Sequence, residues 1–207
     1  TPTPIPEVRL NLAEKSLFEG DYQAAISQLE QLKLNTNDSN LKAAADVQLA
    51  QIFIYQSLFQ DAINLLSPYL ESETIEKEIQ AKANFFYGVS QENLNNPTEA
   101  ARGYAGYNLT LPGKLDVFMF EKAGDVLVNS NKLDEARTYY EMAIENSQNQ
   151  DTTNVKIKIG RIYAAQLDHT NAIRVFMEVH DSSPNEFVRA QMNLLAGQSY
   201  LALGLPD

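Results

Sequence analysis

Between Lys114 and Asn149 the apolar residues Leu115, Phe118, Met119, Ala123, Val126 and Leu127 return every three or four positions, the spacing of one helix face. The turn formers Asn129, Ser130 and Asn131 follow. A second apolar series then begins: Leu133, Ala136, Tyr140, Ala143 and Ile144. Asp134 and Glu135 stand in its first turn, where the helix dipole favours acids. The pattern predicts a helix, a short turn and a second helix.

The same pattern predicts further helix pairs over 7–19 and 22–34, 41–57 and 59–71, 75–94 and 97–109, and 152–166 and 169–180. A single trailing helix follows over 184–203. Pro97 suits a first helical turn, whereas Pro68 should kink or end its helix. Two registers of small residues run through these pairs. Gly88, Gly124, Gly160 and Gly197 occupy the first helices, with Ala13 and Ala50 at the equivalent place. Ala25, Ala62, Ala100, Ala136 and Ala172 occupy the second helices. Glycine within a helix costs roughly 1 kcal/mol relative to alanine, so its recurrence points to close helix crossings, where side-chain size sets the separation. The expected fold is all-α, about eleven helices in five hairpins plus one trailing helix. Residues 1–6 read as a Thr/Pro linker and 7–207 as one repeat domain. Its copies are expected at about 7–38, 41–73, 75–111, 114–149, 152–182 and, in part, 184–207.

A small residue in the first helix, a bulky residue opening the second, then alanine, then an aromatic, with a period in the mid-thirties, resembles the tetratricopeptide-repeat family. Gly88, Pro97, Ala100, Tyr104 and Pro112 form one good copy, and Gly160, Tyr163, Ala172, Phe176 and Pro184 another. The resemblance implies a right-handed α-solenoid whose concave groove is lined by the first helices, and it implies binding rather than catalysis. A narrower likeness rests on Glu99-Ala100-Ala101-Arg102-Gly103-Tyr104, Tyr107, Leu111-Pro112-Gly113, Leu115-Asp116, Glu121 and Gly124-Asp125. This run resembles the superhelical region that precedes the catalytic domain of bacterial soluble lytic transglycosylases. It implies a larger extracytoplasmic parent acting on peptidoglycan. The catalytic Glu-Ser pair of that family, with its Gly-Leu-Met-Gln-like run, has no match here beyond an isolated Glu71-Ser72.

Composition narrows the partners. The chain carries 16 basic and 27 acidic residues, a net charge of −11. Nucleic-acid binding rests on basic groups that neutralise phosphates, so DNA and RNA are not expected partners. There is no cysteine, which excludes disulfides and thiolate zinc sites and suits an oxidising compartment. An extracytoplasmic location is expected, with the cytoplasm as the alternative. No apolar run is long enough to span a membrane. The chain is expected to belong to a longer protein, because its last helix is apolar without a polar cap.

Catalytic chemistry is not expected. His169 and His180 fall at opposite ends of one helix, too far apart to share a metal. Gly103 and Gly106 lie within a helix, not in a phosphate loop, and are expected to let Tyr104 and Tyr107 pack closely. Paired carboxylates such as Glu71/Glu73 and Glu76/Glu78 fall on connecting turns and read as solvated charge. No cofactor is expected. The groove candidates are Gln51, Phe85, Val89, Glu121, Asp125, Arg161 and Gln198, which project beside the small register. They form a mixed stripe able to take an extended peptide. The expected role is a non-catalytic interaction or scaffold domain whose partner is a protein or peptide, with peptidoglycan reached through the parent. An envelope-assembly scaffold is the alternative.

Overall fold

The computed structural model describes residues 5–113 and 115–205. Thr1 to Pro4 of the expected linker lie outside the described residues, and Pro6, the last linker position, instead opens the first helix. The chain divides into two compact units, 1–113 and 114–207, at the Pro112-Gly113 turn. The first unit holds α1 Pro6–Phe18, α2 Tyr22–Asn35, α3 Ser39–Tyr55, α4 Phe59–Leu66, α5 Lys77–Asn93 and α6 Pro97–Thr110. Pro68 ends α4 early, and a short 3-10 turn, Ser67–Tyr69, takes its place. The second unit holds α7 Asp116–Val128, α8 Leu133–Glu145, α9 Thr153–Ala165, α10 His169–Ser182 and α11 Glu186–Ala202. No strand occurs among the described residues. The trailing helix starts two residues after Pro184, because Asn185 caps it and accepts from the Phe187 amide at 2.9 Å.

Each turn after a first helix contains one residue of left-handed backbone: Gly20, Ser57, Asn95, Asn131, Leu167 and Gly204, with φ between 59° and 79°. The next amide reaches back across the turn, as Lys132 does to the Leu127 carbonyl at 2.9 Å and Asp168 to Tyr163 at 2.9 Å. This closes the helix end in the Schellman manner. Asp21 and Asp168 then cap the following helices through the amides of Ala24 and Asn171.

Each hairpin is held by a fixed pairing of small with large. Sixteen residues after the small register stand Leu29, Leu66, Tyr104, Tyr140 and Phe176, all buried. The two alanine hairpins use leucine; the three glycine hairpins use an aromatic ring. A Cβ added at Gly124 would overlap the Tyr140 ring, and one at Gly160 would overlap the Phe176 ring. At Gly88 it would lie 3.0 Å from Tyr104 Cδ1. The missing methyl is the space into which the ring fits, so the local penalty of glycine is offset by aromatic burial. Gly197 differs: nothing lies within 4 Å of a Cβ placed there, so its expected role at a helix crossing is not what the structure shows. No described helix follows α11 to cross it.

The pair Gly103 and Gly106 also serves otherwise than expected. A Cβ at Gly103 would lie 2.6 Å from Gly88 Cα, so α5 and α6 touch backbone to backbone. Gly106 makes room for the Asn84 amide, which donates to the carbonyls of Leu70 and Gln80 at 3.1 Å. In the same unit buried Asp46 on α3 accepts from Lys33 on α2 and, at 2.6 Å, from the Tyr69 hydroxyl. One carboxylate thus ties α2, α3 and the 3-10 turn after α4 together.

Candidate functional site

The second unit brings polar groups of three helices to one place. Glu121 and Asp125 stand one turn apart on α7, and Lys158 and Arg161 three apart on α9. Tyr140 comes from α8. The Lys158 ammonium bridges the two acids, 2.8 Å from Glu121 Oε1 and 2.6 Å from Asp125 Oδ1. The Tyr140 hydroxyl donates to Asp125 Oδ1 at 2.6 Å. Lys158 Nζ also stands 5.6 Å from the centre of the Tyr140 ring, within cation–π range. Beside this cluster lies a cavity of about 340 Å³, lined by Asp125, Val128, Leu133, Tyr140, Lys158, Arg161, Ile162 and Ala165.

The geometry follows from the glycine register. Gly124 lets the Tyr140 ring lie on α7, and Asp125 is the next residue along, so the hydroxyl meets its carboxylate. Burial, then the hydrogen bond to Asp125 and its charge, push the Tyr140 phenol well above the ordinary range. Burial lowers the Lys158 ammonium, but Asp125 and Glu121 outweigh it and leave its pKa raised. A lysine held protonated is a poor nucleophile at neutral pH, and a tyrosine held protonated is a poor base. The chemistry offered is recognition: fixed charges and an apolar recess.

Three of the sequence candidates, Glu121, Asp125 and Arg161, converge at this cavity or its rim. The other four do not join them. Gln51 is half-buried and donates to the Tyr55 hydroxyl at 2.9 Å. Phe85 sits in an aromatic group with Phe86, Tyr104 and Tyr107, at centroid distances of 5.3, 6.0 and 6.4 Å. Val89 is half-buried on α5, and Gln198 is exposed on α11. The contact residues Ala25, Ala62, Gly88, Ala100, Gly124, Ala136, Gly160 and Ala172 are all buried. Sequence reasoning missed Tyr140 and Lys158 as members of the site. A signal for both was present: Tyr140 stands sixteen after a glycine, and Lys158 stands one repeat beyond 122, between the two acids.

His180 Nδ1 lies 2.9 Å from its neighbour Asp181. His169 opens α10, with its Nδ1 buried and unpartnered. Among the described residues no group of three His, Cys, Asp or Glu is placed to hold a metal, and no helix is long and apolar enough to cross a membrane. In the first unit Glu71, Glu73, Glu76 and Glu78 are exposed. Arg102 there pairs with Glu99 at 3.3 Å and Glu71 at 3.4 Å.

A family model described as tetratricopeptide repeat matches residues 119–150, the stretch from within α7 through α8 that carries Glu121, Asp125 and Tyr140. No curated protein matches the sequence. Several solved structures share the fold. MamA is 18% identical over 85% of this chain and 90% of that one, with a TM-score of 0.61. YrrB, described as a TPR protein with an unusual peptide-binding site, is 14% identical over 90% of each chain, with a TM-score of 0.58. A tetratricopeptide repeat protein from Parabacteroides merdae is 13% identical over 97% of this chain and 74% of that one, with a TM-score of 0.61.

Proposed function

We propose that this chain, built on the tetratricopeptide-repeat fold, is a non-catalytic interaction module that takes an extended peptide against the first helices of its hairpins. The observation that carries the reading is the cavity beside Asp125, Tyr140, Lys158 and Arg161. Asp125 and Lys158 hold each other in place, Arg161 stands exposed beside them, and the remaining walls are apolar, the mixture that orients a peptide side chain. The peptide-binding site named for YrrB supports the same use of the fold. The finer setting we propose is bacterial and outside the cytoplasm, within a larger protein whose other parts act on peptidoglycan. Its support is the lack of cysteine and the resemblance carried by residues 99–125.

Panning a random dodecapeptide library on the immobilised full chain tests the first part. Enriched peptides should bind the free chain saturably in solution. A library that yields no such peptide overturns the reading, as does hydrolytic activity of the purified chain. Fractionation of cells expressing the tagged parent tests the setting, and recovery from the cytoplasm overturns it.

A further inference from the structure

Among the described residues of left-handed backbone, Leu167 is the one with a large apolar side chain. The equivalent turns place Gly20, Ser57, Asn95, Asn131 and Gly204 in left-handed backbone. Glycine and asparagine enter that conformation readily, whereas a bulky residue there is an outlier. Leu167 takes it at φ 62°. Its side chain is 78% exposed, so it gains almost nothing from burial. The turn is anchored by the Gln166 amide, which donates to Asp134 at 3.0 Å. Strain of this kind at an exposed apolar residue points to a role outside the fold.

Two residues before it, Ala165 lines the cavity, with Ile162 and Arg161 in the turn below. Arg161 is exposed and makes no hydrogen bond or ion pair among the described residues. Each of the other five arginines has a protein acceptor. Arg9 donates to Gln28, Arg102 to Glu99, Arg137 to Asp134, Arg174 to Asn171 and Arg189 to the Ser183 carbonyl. Lys158 is already shared between Glu121 and Asp125. In a chain of net charge −11, Arg161 is therefore a cation left open at the mouth of an apolar recess. Its complement is a carboxylate, and the complement of Val128, Leu133, Ile162 and exposed Leu167 is a large apolar side chain.

We infer that Arg161, Leu167 and the cavity between α7 and α9 form one docking point, which takes a large apolar residue followed by an acidic residue on a partner peptide. The inference rests on the peptide-binding reading above and adds the side chains that reading leaves open. An aliphatic or aromatic group fills the recess and covers Leu167. The neighbouring carboxylate then meets the Arg161 guanidinium, with which it can form two parallel hydrogen bonds.

The test is an NMR titration of the isotope-labelled full chain with the capped peptide Gly-Ser-Phe-Asp-Ser-Gly. Saturable shifts are expected in residues 125–133 and 158–168. Replacing the peptide Asp by Lys, or its Phe by Ala, should weaken binding at least tenfold. Arg161→Glu should do the same to the Asp peptide and reverse the preference in favour of the Lys peptide. Leu167→Gly should bind at least tenfold more weakly while unfolding at a higher temperature, which separates lost contact from lost structure. Equal binding of the Asp and Lys peptides, unchanged affinity in either variant, or no saturable binding overturns the inference. If library peptides bind elsewhere while these outcomes fail, the peptide-binding reading stands and only this docking point falls.

Discussion

The Tyr140 hydroxyl reaches Asp125 at 2.6 Å because Gly124, one residue earlier on α7, has no side chain to hold the ring away. A structural glycine and a site carboxylate are thus adjacent in sequence and share one partner. Gly124→Ala should therefore destabilise by about 1–3 kcal/mol through overpacking of the Tyr140 ring. Gly197→Ala meets nothing within 4 Å. It should be neutral or stabilise by up to about 1 kcal/mol through helix propensity. Urea unfolding of the two variants checks the contrast, and equal midpoints would refute it.

Tyr140→Phe keeps the packing and removes only the hydroxyl. A hydrogen bond to a charged group contributes about 1.5–3 kcal/mol. Lys158 still neutralises Asp125 in this variant, so the lower end of that range is expected. A double-mutant cycle with Lys158→Met measures the coupling; additive losses would show that the three groups do not act together.

At alkaline pH the folded state should weaken. Tyr69, Tyr87, Tyr104 and Tyr140 all have pKa values raised above 10.0, first by burial and then by bonds to Asp46, Glu99, Glu92 and Asp125 respectively. Lys158 is raised above 10.5. A raised folded pKa gives stability that is complete below the unfolded value and lost as pH rises through the folded one. Stability should thus fall from about pH 10 upward. Absorbance titration should show these phenols ionising only as the chain unfolds, and smooth titration of all tyrosines near pH 10 in the folded chain would contradict it.

At acid pH the sign reverses. Asp168 sits below its ordinary 3.8 because Asn171 donates to it from side chain and backbone. Asp151 is lowered by Thr153 in the same way. A depressed folded pKa gives stability that is present above the unfolded value and lost as pH falls through the folded one. Unfolding midpoints should drop below about pH 4, and Asp168→Ala should flatten that slope. A slope unchanged in the variant would remove Asp168 from the account.

Leu167→Gly should raise stability by about 1 kcal/mol, since the left-handed conformation costs an ordinary residue roughly 1–2 kcal/mol. Thermal unfolding reads this directly, and a lower midpoint would show that the leucine packs usefully in the fold.

Much of the architecture was legible along the chain. Apolar spacing marked the helix pairs because each helix must turn one face to its neighbours, and that demand is local. The small registers marked the crossings for the same reason, and Gly124 with Tyr140 or Gly160 with Phe176 shows the match of size. The site was legible only in part. Glu121, Asp125 and Arg161 stood out by position, but Lys158 lies 33 residues beyond Asp125, and only the folded placement of α9 puts its ammonium between the acids of α7.

Two positions mark where local pattern ends. Gly197 repeats the register faithfully, yet a crossing needs a second helix, and none among the described residues lies over it. Leu167 looks in sequence like an ordinary apolar residue near a helix end. Its left-handed backbone and exposed side chain arise from the turn that α9 and α10 impose. Periodicity therefore settled which residues face inward and where the chain turns. Which charges meet, which glycines are filled and which leucine is left outside depended on helices packed across the repeat, because those contacts join residues that no local spacing connects.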